Sequence, residues 1–111
     1  NNGEPKKPTS RAVDLLGLSL APVSEVTRQQ FELSEDAKGV VITKVIAGSD
    51  AAVKELQPGT VIVKVNQTDV NSPDDVARIA EQAHEDGRGS VLLWLNIGGE
   101  FRFVPVKFPK G

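Results

Sequence analysis

The stretch GVVITKVIAGSDAAVKELQPGTVIVKVNQTDV, residues 39–70, holds two strand signals on either side of one helical turn. Gly39 and Gly48 bound a β-branched run that begins Val40-Val41-Ile42, as expected of a buried strand. Ser49 is placed to cap a short helix, and Asp50 falls in its first turn, where free N–H groups favour a negative charge. Pro58-Gly59 stops that segment. Val61, Val63 and Val65 then alternate with period two, which marks a second strand, and Asn66 to Thr68 make a turn.

Downstream, NSPDDVARIAEQAHEDG (residues 71–87) predicts a longer helix. Ser72 stands at its N-cap, Pro73 at the first helical position, Asp75 three residues after the cap, and Gly87 beyond the other end. Val76, Ile79, Ala80 and Ala83 recur at helical spacing, so one face is apolar and partly built of small residues. SVLLWLNIGGEFRFVPVKF (residues 90–108) predicts a hairpin that turns at Gly98-Gly99, with Trp94 in its core-facing strand. The apolar parity slips between Phe103 and Val104, which predicts a bulge there.

Upstream, AVDLLGLSLAPV (residues 12–23) breaks an apolar run at Gly17 and resumes as Leu18, Ser19, Leu20. A core strand gains nothing from a glycine, which loses more conformational entropy and packs no side chain, so backbone is expected to come close to something there. Leu16-Gly17-Leu18 reads equally as a tight turn into a core strand or as a loop whose successive N–H groups converge on an anion. SEVTRQQFEL, residues 24–33, carries no decisive signal. Residues 1–11 combine two prolines, a glycine and three basic groups without periodicity and read as a linker, and 109–111 as a tail. The pattern alone gives four or five short strands and two helices, hence a small α+β domain with a partly closed barrel over residues 12–108.

The 111 residues carry 13 basic and 15 acidic groups, a net charge of −2, without a basic stripe, so nucleic acid is not an expected partner. The chain has no cysteine, which excludes disulfides and thiolate metal sites, and no cofactor or metal is expected. Val91–Leu95 is the longest apolar run, far too short for a bilayer. No methionine occurs and Asn1 is the first residue, so a processed chain or a piece of a longer one is expected.

Catalytic constellations are weak. Gly17-Leu18-Ser19-Leu20-Ala21 loosely matches a nucleophile elbow, but Pro22 disfavours the helix that such an elbow requires after the serine. His84, the only histidine, sits in a helix's last turn, and Asp74-Asp75 fit helix capping better than acid–base work or cation binding. No enzymatic activity is expected of these residues.

Residues 39–70 resemble the centre of a bacterial PDZ domain, whose pattern runs Gly-Val-x-Ile/Val, Gly-Ser-Pro-Ala, Leu-x-Pro-Gly-Asp-x-Ile and Asn-Gly. Asp50, Thr60 and Gln67 replace the usual proline, aspartate and glycine. The closing EFRFVPVKF is similar to the circularly permuted bacterial arrangement, and the whole looks most like the second PDZ domain of a Do-like (HtrA family) periplasmic serine protease. The resemblance implies a PDZ-like, partly open β-barrel of five or six strands with two helices, and a periplasmic location. It also implies that Leu15, Leu16, Gly17, Leu18, Ser19 and Leu20 form the carboxylate-binding loop and its strand, with Val76, Ile79, Ala80 and Ala83 on the helix that walls a peptide groove.

On that basis an extended peptide adds beside Leu18–Ala21, and the N–H groups of Leu16, Gly17 and Leu18 hold its terminal carboxylate. Leu16, Leu18, Leu20 and Ala83 line the last pocket with Ile79 behind, and Val76 meets the side chain two residues upstream. Valine cannot hydrogen-bond a ligand hydroxyl, so apolar C-terminal or unfolded-protein peptides are the expected partners. Other subunits of the parent protease are the alternative, which would make the domain an assembly scaffold. The parent is implied to be a serine endopeptidase whose catalytic signature is not in this chain.

Overall fold

In a computed structural model that describes residues 11–33 and 37–108, the strand signals become β1 (Arg11–Val13), β2 (Leu18–Pro22), β3 (Val40–Val45), β4 (Val61–Val65), β5 (Thr68–Asp69), β6 (Ser90–Ile97) and β7 (Glu100–Lys107). Three helices join them: α1 (Glu25–Phe31), α2 (Asp50–Val53) and α3 (Pro73–Glu85). Every pairing is antiparallel, in the order β1-β2-β3-β4-β6-β7, with β5 hydrogen-bonded to β4 off that path. The path ends at β1 and β7, so the sheet is not closed into a barrel. The α+β class is as expected. The described residues form seven strands and three helices, where five or six strands and two helices were expected. The linker and tail expected at the chain ends lie outside the described residues, except that Arg11 opens β1.

The unforeseen helix is α1. Ser24 caps it by accepting from the Thr27 N–H, and the Thr27 hydroxyl accepts from the Ser24 N–H at 2.7 Å, a reciprocal box that uses threonine in place of the usual acid. Caps at Ser49 and Ser72 start α2 and α3 as expected.

Two clusters fill the faces of the sheet. The larger joins Leu18, Leu20, Ile42, Ile62, Leu93 and Leu95 to Val76, Ala77, Ala80 and Ala83 of α3. The smaller lies on the other face, where Phe31 of α1, Val23, Leu33 and Val63 pack on Ala21, Val41 and Val61. A register shift in β4, between Ile62 and Lys64, lets one strand serve both clusters. Ile62 and Val65, of opposite parity, therefore share one core.

The bulge expected near Phe103 is absent, because β6 and β7 pair without a break from Ser90↔Lys107 to Ile97↔Glu100. The parity slip has another cause: β7 is apolar on both faces. Val104 packs on the core and Val106 lies in it, while Phe101 and Phe103 stand on the outer face, 58% and 60% exposed. Trp94, expected in the core, also stands on that outer face, stacked on Phe103 at 5.2 Å with the Lys64 ammonium 4.9 Å from its ring centre.

Candidate functional site

The structure brings the predicted loop and helix residues into one core, together with a residue that was given no role. Leu16, Leu18, Leu20, Val76, Ala80 and Ala83 belong to the larger cluster with almost no exposure, and Leu15 and Ile79 pack against it partly buried. Val13 of β1 is in the same cluster, 5% exposed. Pleating explains the sides: Leu18 and Leu20 point to the core, while Ser19 between them is only half-buried.

Gly17 sits at the centre of the loop, with φ +69°. What its backbone approaches is Ser49: a Cβ built on Gly17 would lie 2.3 Å from the Ser49 Cβ. The Gly17 carbonyl accepts from the Ile46 N–H at 2.9 Å, and the Ser49 hydroxyl donates to the Ile46 carbonyl at 2.6 Å. The loop is thus fastened to the segment between β3 and α2.

Two of the three expected loop donors are engaged within the chain. The N–H groups of Leu16 and Gly17 both donate to the Val13 carbonyl at 3.0 Å, and Gly17 also reaches the Asp14 carbonyl at 3.2 Å. Likewise the edge of β2 is taken, because β1 pairs along it as Arg11↔Leu20, Ala12↔Ser19 and Val13↔Leu18. β1 also packs against α3, and Arg11 forms an ion pair with Asp74. Sequence reasoning placed Arg11 in a linker and gave Ala12 and Val13 no role in the site; the one available signal was that Ala12-Val13 continues the apolar run into the loop. Burying one valine contributes roughly 1.5–3 kcal/mol and each net hydrogen bond about 1 kcal/mol. A three-residue edge strand is therefore held by no more than a bound peptide would supply.

Two cavities flank this arrangement. One, of about 280 Å³, is bordered by Leu16, Gly17, Ser49, Asp50 and Lys107; the other, of about 700 Å³, by Asn66, Arg78, Ile79, Ala83 and Arg88. Ile79 and Ala83 thus border a cavity on the side of the Asn66 turn, and that cavity contains no residue of the 14–17 loop.

Asp50, where the resemblance has proline, fastens the first cavity's wall. Its carboxylate accepts from the Lys107 N–H at 2.8 Å and from the Lys54 ammonium at 3.0 Å. The Lys107 N–H, then Lys54, holds this carboxyl below its ordinary value of 3.8. A folded-state pKa below the unfolded one stabilises the fold fully above that ordinary value, and the contribution is lost as the pH falls through the lowered one. Asp50→Asn is expected to cost roughly 1 kcal/mol at neutral pH and to converge with the parent in strong acid. Urea melts at the two pH values check this; an equal gap at both refutes it. Asp75 is lowered too, first by the Asn71 N–H, and with Asp74 held by Arg11 both acids serve the start of α3 and neighbouring groups.

Ser19 lies mid-strand between Ala12 and Lys44 with no helix directly after it, and exposed His84 stands edge-on to Phe108 at 5.3 Å. No group of three metal-ligating side chains occurs among the described residues, and no helix among them is long and apolar enough to cross a membrane.

An antiparallel sheet with the apolar helix α3 packed over its core and a tight loop at Gly17 makes up the frame, and the family model described as "PDZ domain" matches residues 6–88. The chain belongs to the PDZ domain family. It is 36% identical over 96 residues to the "Probable periplasmic serine endoprotease DegP-like" of Rhizobium meliloti (strain 1021), covering 86% of this chain and 17% of that protein. The protein of the same description from Brucella suis biovar 1 is 38% identical over 92 residues, covering 83% and 16%. The chain therefore spans about a sixth of the length of these relatives and contains the PDZ part without the protease domain.

Among solved structures, the HtrA-type protease AlgW with decapeptide matches with TM-score 0.67 at 20% identity, over 84% of this chain and 28% of that one. The HtrA3 PDZ domain bound to a phage-derived ligand matches with TM-score 0.65 at 18% identity, over 85% and 83%. These likenesses establish the fold.

Proposed function

We propose that this domain captures extended apolar peptide segments, free C-termini in particular, by strand addition between β2 and α3, and so recruits or regulates substrates for an attached DegP-like serine protease in the periplasm. The observation that carries this is the pairing of β1 itself: the β2 edge accepts an extended strand in antiparallel register, with an apolar residue in the core and a carbonyl oxygen on the loop amides. Leu16, Gly17, Leu18 and the apolar face Val76, Ala80, Ala83 are the contacting groups in this reading, with Leu15, Ser19, Leu20 and Ile79 around them. The decapeptide and phage-derived ligand named with the two structural neighbours support it. So does the description of the relatives as periplasmic endoproteases.

Charge-assisted hydrogen bonds and one buried side chain each contribute roughly 1.5–3 kcal/mol, against about 4 kcal/mol or more for association, so affinity is expected to be micromolar at best. Amidating the C-terminus of a bound apolar peptide is expected to weaken binding about tenfold or more, read by fluorescence anisotropy. Unchanged affinity would mean that the loop amides do not read a chain end.

A second reading is favoured by the aromatic face of the β6–β7 hairpin, where Phe101 and Phe103 stand more than half exposed beside Trp94. Such a face suits contact with another subunit. Deleting this domain from the full-length parent separates the two: collapse of a large assembly in sedimentation, with peptide capture retained elsewhere, would assign it to assembly.

A further inference from the structure

The geometry points to β1 as a built-in occupant of the peptide groove, a short strand that must leave before any outside segment can bind. The inference rests on the peptide-binding reading above. Three features of β1 coincide with what a ligand strand would do. It runs antiparallel along β2 toward the loop, with Val13 opposite Leu18. Its Val13 side chain is buried in the cluster that holds Leu16, Leu18, Val76 and Ala83. Its last carbonyl, that of Val13, takes the N–H groups of Leu16 and Gly17, two of the three donors expected to hold a terminal carboxylate. Both cannot hold the edge and the donors at once.

Among the described residues the hold is small: three paired residues, one buried side chain, and an Arg11–Asp74 ion pair between exposed groups. Displacement by a competing strand is therefore an exchange of like for like. The resident also indicates what competes best, an extended segment ending in a β-branched apolar residue with a basic residue two positions before it, over Asp74. A site open only part of the time has its apparent affinity reduced by that fraction, so a resident docked nine-tenths of the time weakens binding about tenfold.

The absence of native cysteine permits a clean test. Ala12 and Ser19 are direct cross-strand partners, exposed and half-buried, so in the full chain A12C/S19C can form a single disulfide that pins β1 to β2. The probe is a fluorescein-labelled hexapeptide ending in Arg-Ala-Val with a free carboxylate. Oxidised A12C/S19C is expected to bind at least about tenfold more weakly than the same protein after reduction, and Val13→Ser, which loosens the resident, about tenfold more tightly than the parent. Circular dichroism melts establish that each variant is folded, and the disulfide pair stands as the test if Val13→Ser is not. Equal binding by oxidised and reduced protein overturns the resident-strand inference and leaves peptide binding standing. No binding by the parent, the reduced pair or Val13→Ser overturns the peptide reading and the resident strand together.

Discussion

Gly39→Ala is expected to lower the melting midpoint on the order of 15 °C, the largest loss from any single methyl group added to this fold. Gly39 has φ +120°, a region that L residues rarely adopt, and a Cβ there would lie 2.2 Å from the Ile62 carbonyl oxygen, 3.1 Å from its carbon and 3.3 Å from the Val63 Cα. All three are backbone atoms, so no rotamer change relieves the contact. Relief requires β3 to move off β4, which it pairs at Val40↔Ile62 and Val41↔Val61, with Ile42 also hydrogen-bonded to Gly59 and Thr60 just before β4. Losing that junction opens both cores, because Val40 and Ile62 belong to one and Val41 and Val61 to the other. Backbone strain of ~1–3 kcal/mol plus the broken contacts gives ~4 kcal/mol, a large share of the ~5–15 kcal/mol that holds a domain together. A thermal melt followed by circular dichroism reads the result; a fall of only a few degrees would show that the two strands yield easily at this point.

Gly17→Ala comes second, at about 3 kcal/mol. Alanine at φ +69° costs ~1–2 kcal/mol for the left-handed backbone alone. The remainder comes from Ser49, whose Cβ would be 2.3 Å and whose Oγ 2.7 Å from the new methyl. Ser49 is not free to turn away, since its Oγ accepts from the Ala52 N–H and donates to the Ile46 carbonyl. A double-mutant cycle with Ser49→Gly separates the two terms. The clash is relieved in the pair and the strain is not, so a coupling of about 1 kcal/mol or more is expected in urea melts. Strict additivity would mean that Gly17 is needed for its dihedral angle alone.

Much of this was legible in the residues. Ser49, Asp50, Ser72, Pro73 and Gly87 announce helix ends because capping is local chemistry, satisfied within a few residues of where it is written. The face of α3 that holds Val76, Ala80 and Ala83 follows from helical spacing in the same way. α1 was not legible, because its box is closed by Thr27 and its apolar contacts come from Phe31 meeting β-sheet residues far along the chain. The faces of β4 were misleading for a similar reason: Val61, Val63 and Val65 alternate, yet the shift beside Lys64 sends Val65 to a different core from Val61. In the candidate site, the sequence marked the loop and the helix and overlooked the strand lying between them.

That difference has one cause. Periodicity, caps and turns are short-range, and from them alone came the α+β class, the placement of most elements and the demand that something lie close to Gly17. Which partner satisfies a demand is a long-range matter: that Gly17 meets Ser49, that Trp94 stands outside while Val104 packs on the core, and that Arg11–Val13 occupies the edge of β2 depend on which surfaces the folded sheet brings together. A single chain states its needs in neighbouring residues, but only packing in three dimensions decides which of its own atoms meet them.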